Sequence, residues 1–322
     1  MMKRFLVILF VGSAFCIKVS GQNINDNTHL SVMTENDLYS FPGGGTDRYY
    51  TNGLRIDYYC TKSKEMFPTK LLLKISDDKK VFGWGVAQYM FTPSRIDTDS
   101  ILYNDRPYAG ALFAIHSLSS YDNTKKIKLT TELLLGVMGP LSFAEETQTA
   151  VHKLIDAQKP EGWKNQIRND IVINYNIKLQ KEIFNVPEKL FISGVLETYA
   201  GTMYDAMGAG LSMNIGRVSN LWNPTKNDNQ KKYQLYLTFS PTVRLIYYNA
   251  LLQGGIISGF KNSTKGYKLD KDDIERLSTF TEFGIVYEQS KFKISFLQKM
   301  RTAPFKGGHT LEYGNIAISF KL

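Results

Sequence analysis

The chain has 322 residues, is 13% aromatic and 21% charged, and carries a formal net charge of +9. Past the first 21 residues no apolar run approaches the roughly 18 residues that a helix needs to cross a bilayer. There is no HExxH, CxxC or GxSxG motif, so a zincin, a dithiol redox site and a nucleophile elbow have no support.

The first residues, MMKRFLVILFVGSAFCIKVSG, combine Lys3-Arg4, an apolar run from Phe5 to Ile17, and small residues before Gln22. That is the pattern of a secretory signal peptide over residues 1–21, which leaves 22–322 as one domain. Its removal takes away Lys3, Arg4 and Lys18, so the charge falls from +9 to +6. A modest basic surplus on an exported chain suits anionic lipid headgroups, and nucleic acid is not an expected partner. Cys16 leaves with the leader, so Cys60 stands alone and an internal disulfide is impossible. Stability must come from a core or from closed strand pairing.

In chain order, Thr28 to Tyr39 reads as a first strand that ends in Glu35-Asn36-Asp37, followed by the loop Phe41-Pro42-Gly43-Gly44-Gly45. The second, Tyr49 to Cys60, places Leu54, Ile56 and Tyr58 on one face and Thr51, Gly53, Arg55 and Asp57 on the other. Alternation recurs at Phe82-Trp84-Val86, at Leu112-Ala114-Leu118 after the Asn104-Asp105-Arg106-Pro107 turn, and at Ile127 to Leu135. It is clearest from Ile171 to Leu179. Further strands are predicted at Leu190–Gly201, Tyr204–Gly216, Tyr233–Tyr248, Arg276–Glu288, Phe292–Lys299 and Leu311–Leu322.

About 12 strands of roughly 10 residues, apolar on one face and polar on the other, match a transmembrane antiparallel β-barrel with a polar lumen. A soluble β-sandwich is the competing architecture, since each strand signal is weak alone. With both termini in the periplasm, the connections after odd strands face outward, and a Tyr-rich composition suits interfacial girdles.

One stretch breaks the pattern. Gly136 to Ile167 reads as helix, and Gln148 and His152, four apart, share a face. It is expected to be an extracellular loop element packed on the barrel wall, with Val151, Leu154 and Ile155 either lining a groove for acyl chains or, the expectation preferred here, anchoring the helix. By topology Asn36, Asp37, Thr51, the NDRPYAG turn, Gln148 and His152 converge on one rim. Of the four histidines, His152 has the most polar expected surroundings and is the candidate general base. Taken singly these residues read as an ordinary helix face, turns and strand positions. The convergence sets them apart.

ENDLY at Glu35–Tyr39, TDRYYTNGL at Thr46–Leu54, NDRPYAG at Asn104–Gly110 and the GP…Q…H…GW.NQI array from Gly139 to Ile167 resemble the outer-membrane lipid A 3′-O-deacylase family. The likeness spans nearly the whole chain after residue 21 and is densest up to Ile167. It implies a 12-stranded outer-membrane barrel that hydrolyses the 3′ ester of lipid A in lipopolysaccharide, releasing an acyloxyacyl chain with Ca²⁺ as cofactor. Carried over residue by residue, it implicates Asn36, Asp37, Thr51, Gln148 and His152 as the active site, with Asp37 placed either to orient the imidazole or to bind the cation. Family members carry a lysine in the loop after the third strand. Here that loop has none, and Arg95 and Arg106, beside Asp105, are the basic residues available for the acidic sugar region. A monomer embedded in the membrane is expected. The alternatives are an outer-membrane phospholipase, with His116 beside Ser117 or Ser119 as a substitute pair, and a non-enzymatic porin-like or adhesin barrel.

Overall fold

The computed structural model describes residues 28–41, 49–61, 67–77, 79–218, 222, 233–257, 266–289 and 291–322. The expected signal peptide and the Pro/Gly run after Phe41 lie outside the described residues. Twelve antiparallel strands close into one barrel in sequence order, β1 pairing with β12. They are β1 (His29–Asn36), β2 (Tyr49–Cys60), β3 (Lys79–Thr92), β4 (Ala109–Asp122), β5 (Ile127–Met138) and β6 (Asp170–Val186), then β7 (Leu190–Gly201), β8 (Tyr204–Arg217), β9 (Tyr233–Asn249), β10 (Leu277–Gln289), β11 (Phe292–Arg301) and β12 (Leu311–Lys321). The α-helices among the described residues are α1 (Phe67–Lys70), α2 (Ala144–Ile155) and α3 (Ala250–Gln253). Residues Gly136 to Met138, expected at the start of the helix, complete β5 instead. The helix proper is confined to twelve residues between the short turns Pro140–Ser142 and Trp163–Asn165.

The register sorts side chains into two faces. Leu235, Leu237, Phe239, Val243, Leu245 and Tyr247 of β9, and their neighbours Phe283 and Ile285 of β10, are exposed on the outside. Inside, charges pair off: Arg55 with Asp57 at 2.7 Å and Glu132 at 2.9 Å, Lys299 with Glu35 at 2.7 Å and Glu282 at 3.2 Å, and Arg244 with Glu197. An apolar outside over a polar, paired lumen is the inverse of a soluble fold, and hydrocarbon around the wall is what makes it stable.

The connections that leave from the ends of β1, β3, β5, β9 and β11 include the two longest, those after β5 and β9, as expected of the extracellular end. Two of them fold into the mouth. Leu252, Leu269, Ile274, Phe305 and Leu311 pack with Tyr49 and Tyr50, and Ala250 and Leu251 pack with Phe113, Ile115 and Met203. The described mouth is filled by apolar side chains, which argues against an open pore.

Candidate active site outside the barrel wall

The connection between β5 and β6 takes the opposite course and lies against the outside of the wall. Gln88 and Leu112 sit on the outward face, in line with exposed Val86 and with Ala114, and Gln88 donates through Nε2 to the Ser142 carbonyl at 2.7 Å. Where α2 begins, Gly110 leaves room for it. A Cβ there would come within 2.4 Å of Ala144 Cβ. Any larger residue would push the helix off the strands.

Only Ala144, Gln148 and His152 of α2 are buried, at spacings of four. Val151 is 48% exposed and Leu154 65% exposed, and Phe143 at the helix start is exposed too. The expectation that Val151, Leu154 and Ile155 anchor the helix to the wall is therefore corrected: Val151 and Leu154 face away, and Ile155 is only partly buried. The rule that the apolar stripe faces the protein assumes water outside. Beside a membrane barrel the outside is hydrocarbon, so the apolar face turns to lipid and the polar face to the wall.

Packing fixes the two polar side chains. Trp163 is fully buried and donates its indole N–H to Gln148 Oε1 at 2.7 Å. An indole can only donate, so the amide orientation is forced and Nε2 is the end left to act. That nitrogen is buried without a hydrogen-bond partner among the described residues. At the other end of α2, Asp156 adopts a left-handed conformation (φ 53°) that turns the chain back. The Gln158 carbonyl thereby meets His152 Nδ1 at 2.5 Å. A carbonyl only accepts, so Nδ1 carries the proton and Nε2 of the neutral ring is the basic nitrogen.

A second group lies on the same outer face at the same end. Asn36 donates through Nδ2 to the Thr51 carbonyl at 2.7 Å, and its Oδ1 accepts from Leu38 N at 2.8 Å. Thr51 sits at a register shift in β2, between Tyr50 and Asn52, and its hydroxyl meets Thr92 Oγ1 at 2.8 Å. Asp37, 4% exposed, opens the short turn Asp37–Tyr39, which lies over the outer ends of β11 and β12: Tyr39 lies against Gly314, and Phe41 N donates to Gln298. This turn packs on β12 and β2, and α2 packs on β4 and β3, so by topology they stand on either side of the outer ends of β1 to β3, here the outer groove. Met90, on its floor, packs with Ala144 and Trp163.

Asn36, Asp37 and Thr51 thus stand on one side of the groove and Gln148 and His152 on the other. The first side offers only oxygens: one carboxylate, one amide and one hydroxyl. That set fits a hard divalent cation such as Ca²⁺. Among the described residues no group of three or more His, Cys, Asp or Glu forms a metal cluster, so such a cation would rest on one carboxylate and neutral oxygens.

The basic candidates do not gather there. Arg95 is exposed at the rim and pairs with Asp97 at 3.1 Å. Asp105 closes its own loop, accepting from Ser94 N and Arg106 N at 2.7 Å. Arg106 turns into the mouth of the lumen, its guanidinium 4.1 Å above the Phe91 ring. Nor does His116 pair with a serine. Its ring nitrogens meet the Gly83 carbonyl at 3.0 Å and Thr69 Oγ1 at 2.9 Å, while Ser119 bonds Thr130 on the other face. Sequence reasoning missed Trp163 and Gly110 as determinants of this site. Both stood in the quoted motifs, and the fixed offset between Gln148 and Trp163 was the available signal.

Comparison with known proteins agrees with this architecture. Residues 5–322 match the sequence family described as outer membrane protein LpxR. LpxR from Salmonella typhimurium superposes with a TM-score of 0.72 at 19% identity, covering 91% of this chain and all of that one. The β domain of the Bordetella autotransporter BrkA gives a TM-score of 0.45 at 8% identity, covering 93% and 100%. The transport unit of the Escherichia coli autotransporter AIDA-I gives 0.42 at 7%, covering 98% and 97%. No curated protein matches. On the near-full-length family match, this chain belongs to the LpxR family of outer membrane proteins.

Proposed function

We propose that this protein hydrolyses the ester at the 3′ position of lipid A, releasing the acyloxyacyl chain as a carboxylic acid. The observation that carries the reading is the orientation of α2. Gln148 and His152 lie on the buried face of α2, which rests on the outside of the wall and away from the lumen; on this reading that end of the barrel meets the leaflet that holds lipopolysaccharide.

In the proposed reaction His152 Nε2 takes a proton from water as that water attacks the acyl carbonyl carbon. The Gln158 carbonyl holds Nδ1–H and stabilises the imidazolium that forms. Gln148 Nε2, oriented by Trp163, donates to the developing oxyanion. As the tetrahedral species collapses, the C–O bond to the sugar breaks and the proton on Nε2 passes to the leaving oxygen. The products are the free acid and a 3′ hydroxyl. No serine nucleophile is required. Asp37, Asn36 and Thr51 are the residues that would hold Ca²⁺, which when bound supplies positive charge beside the oxyanion. Exposed Phe143, Val151 and Leu154 give α2 a lipid-contacting face, and Arg95 is the rim group closest in kind to the family's loop lysine. The barrel is taken to act as a monomer.

Mass spectrometry of lipid A incubated with the detergent-solubilised protein, with Ca²⁺ or with a chelator, tests the reading. Loss of the acyloxyacyl chain only with Ca²⁺ supports it. Untouched lipid A beside cleaved phospholipid would replace it with the phospholipase alternative.

A further inference from the structure

The lumen contains a second polar site on the opposite face of the wall. Most lumenal cations described above have carboxylates. Two guanidiniums in its outer third do not: among the described residues, neither Arg106 nor Arg301 has a carboxylate within 4 Å. Arg106 is 3% exposed, and its Nε makes no hydrogen bond. Its Nη2 reaches only the Leu251 carbonyl, at 3.5 Å. Arg301 has neither Nε nor Nη2 bonded, and both are buried. Nearby, the Tyr204 hydroxyl is buried and unbonded.

Ring contacts tie these donors together. Arg301 lies 4.7 Å above the Phe280 ring and Arg244 lies 3.8 Å from the same ring. Arg244 is also 5.0 Å from Tyr199, whose ring is 5.3 Å from that of Tyr204. Arg106 is held at the top over Phe91. Burial first, and the like charge of Arg301 second, push the Arg106 guanidinium down to about 9. Arg244 is already neutralised by Glu197. What remains is donors without acceptors: two guanidinium forks, near enough for the charge of Arg301 to act on Arg106, and a hydroxyl near Arg301.

Burying an unpaired guanidinium is strongly unfavourable, and two together more so. A bidentate acceptor reverses the balance, because a guanidinium fork matches the spacing of two oxygens on one centre. We propose that the outer third of the lumen binds an oxyanion, a phosphate or carboxylate group, between Arg106 and Arg301 with Tyr204 as a third donor. Leu252, Leu269 and Phe305 pack with Tyr49 and Tyr50 at the mouth of the same lumen. The site is independent of the groove that holds His152.

The test uses the full chain in detergent, dialysed free of phosphate, with inorganic phosphate and acetate as probes. Calorimetric titration should give one saturable site per barrel for at least one of them, and the same anion should raise the thermal midpoint. Arg301→Gln and Arg106→Gln should each weaken binding by about tenfold or more, while Arg301→Lys keeps the charge but loses the fork and should fall between. Heat-modifiable gel mobility reports folding of each variant. If Arg301→Gln does not fold, Arg106→Gln, outside the strands, reads the same quantity. Displacement of bound phosphate by lipopolysaccharide micelles would assign the natural oxyanion to a lipid phosphate, and no displacement would assign it to a free anion. Absence of saturable binding to folded wild type, or binding that survives both glutamine substitutions unchanged, would overturn the proposal.

Discussion

Two histidines sit on the outside of the β3–β4 side of the barrel and share one device, a backbone carbonyl opposite Nδ1. For His152 it is Gln158 and for His116 it is Gly83. They differ in everything else around the ring. His116 stacks on Trp84 with centroids 3.8 Å apart, and its Nε2 meets the hydroxyl of Thr69, just after Pro68 in α1. α1 and the residues after it are strapped across β4 to β6: Tyr175 Oη bridges Leu71 O and Leu73 N at 2.9 Å, Ile75 N donates to Ser120, and Thr131 donates to Leu73 O. His116 therefore serves as a rivet for a strap on the wall. His152 hangs from a helix over a groove lined by Asn36, Thr51 and Gln148, with Nε2 as its basic nitrogen. One residue type on one surface is structural at one end and, on the proposed reading, catalytic at the other. What separates them is the element that holds each ring: His116 is tied to a strap packed on the wall, and His152 stands on α2 on the same buried face as Gln148.

The largest effect expected from this contrast is on turnover. His152→Ala should lower kcat/KM on detergent-dispersed lipid A by about 10²- to 10⁴-fold, the range for a lost general base, with the thermal midpoint little changed. His116→Ala should do the reverse, leaving turnover within a few-fold while weakening the barrel. Equal losses in initial rate from both variants would erase the distinction.

Gly110→Val comes next. A side chain there displaces α2 from the wall, so the barrel should still form, as read by gel mobility, while turnover drops by about 10²-fold through misplacement of His152 and Gln148. Activity at the wild-type level would mean that the seat of the helix does not set the geometry.

Trp163→Phe removes the indole donor to Gln148 while keeping most of the buried volume. A loss of about tenfold in kcat with KM unchanged is expected if Gln148 acts in the transition state. An equal rise in KM would instead mark Gln148 as a substrate-binding group. The smallest effect belongs to the strap. Thr69→Val should cost about 1 kcal/mol of stability, the value of one hydrogen bond, and leave turnover untouched, measured by denaturant unfolding and by rate in the same preparation.

Much of the barrel was legible because its signal is local and repeated. Leu235, Leu237, Phe239, Val243, Leu245 and Tyr247 share one face, and the strand they predict runs from Tyr233 to Asn249. The predicted strand at Leu190–Gly201 is reproduced at both ends. The rim placement of Asn36, Thr51, Gln148 and His152 followed from counting strands. Side-chain direction was less accessible. The outward turn of Val151 and Leu154 could not be had from periodicity, which gives the apolar face but not what lies outside it. Arg106 stands in a loop, where spacing says nothing about facing, and it points into the lumen. The bond from Thr69 to His116 joins residues 47 apart with no pattern between them.

The most direct test is tandem mass spectrometry of lipid A after incubation, with Ca²⁺, with equal amounts of folded wild type, His116→Ala and His152→Ala. Wild type and His116→Ala should yield the same product, lacking only the 3′ acyloxyacyl chain, and His152→Ala should leave the substrate intact. Cleavage at another position, or full cleavage by His152→Ala, would contradict the assignment of the outer groove as the site of chemistry.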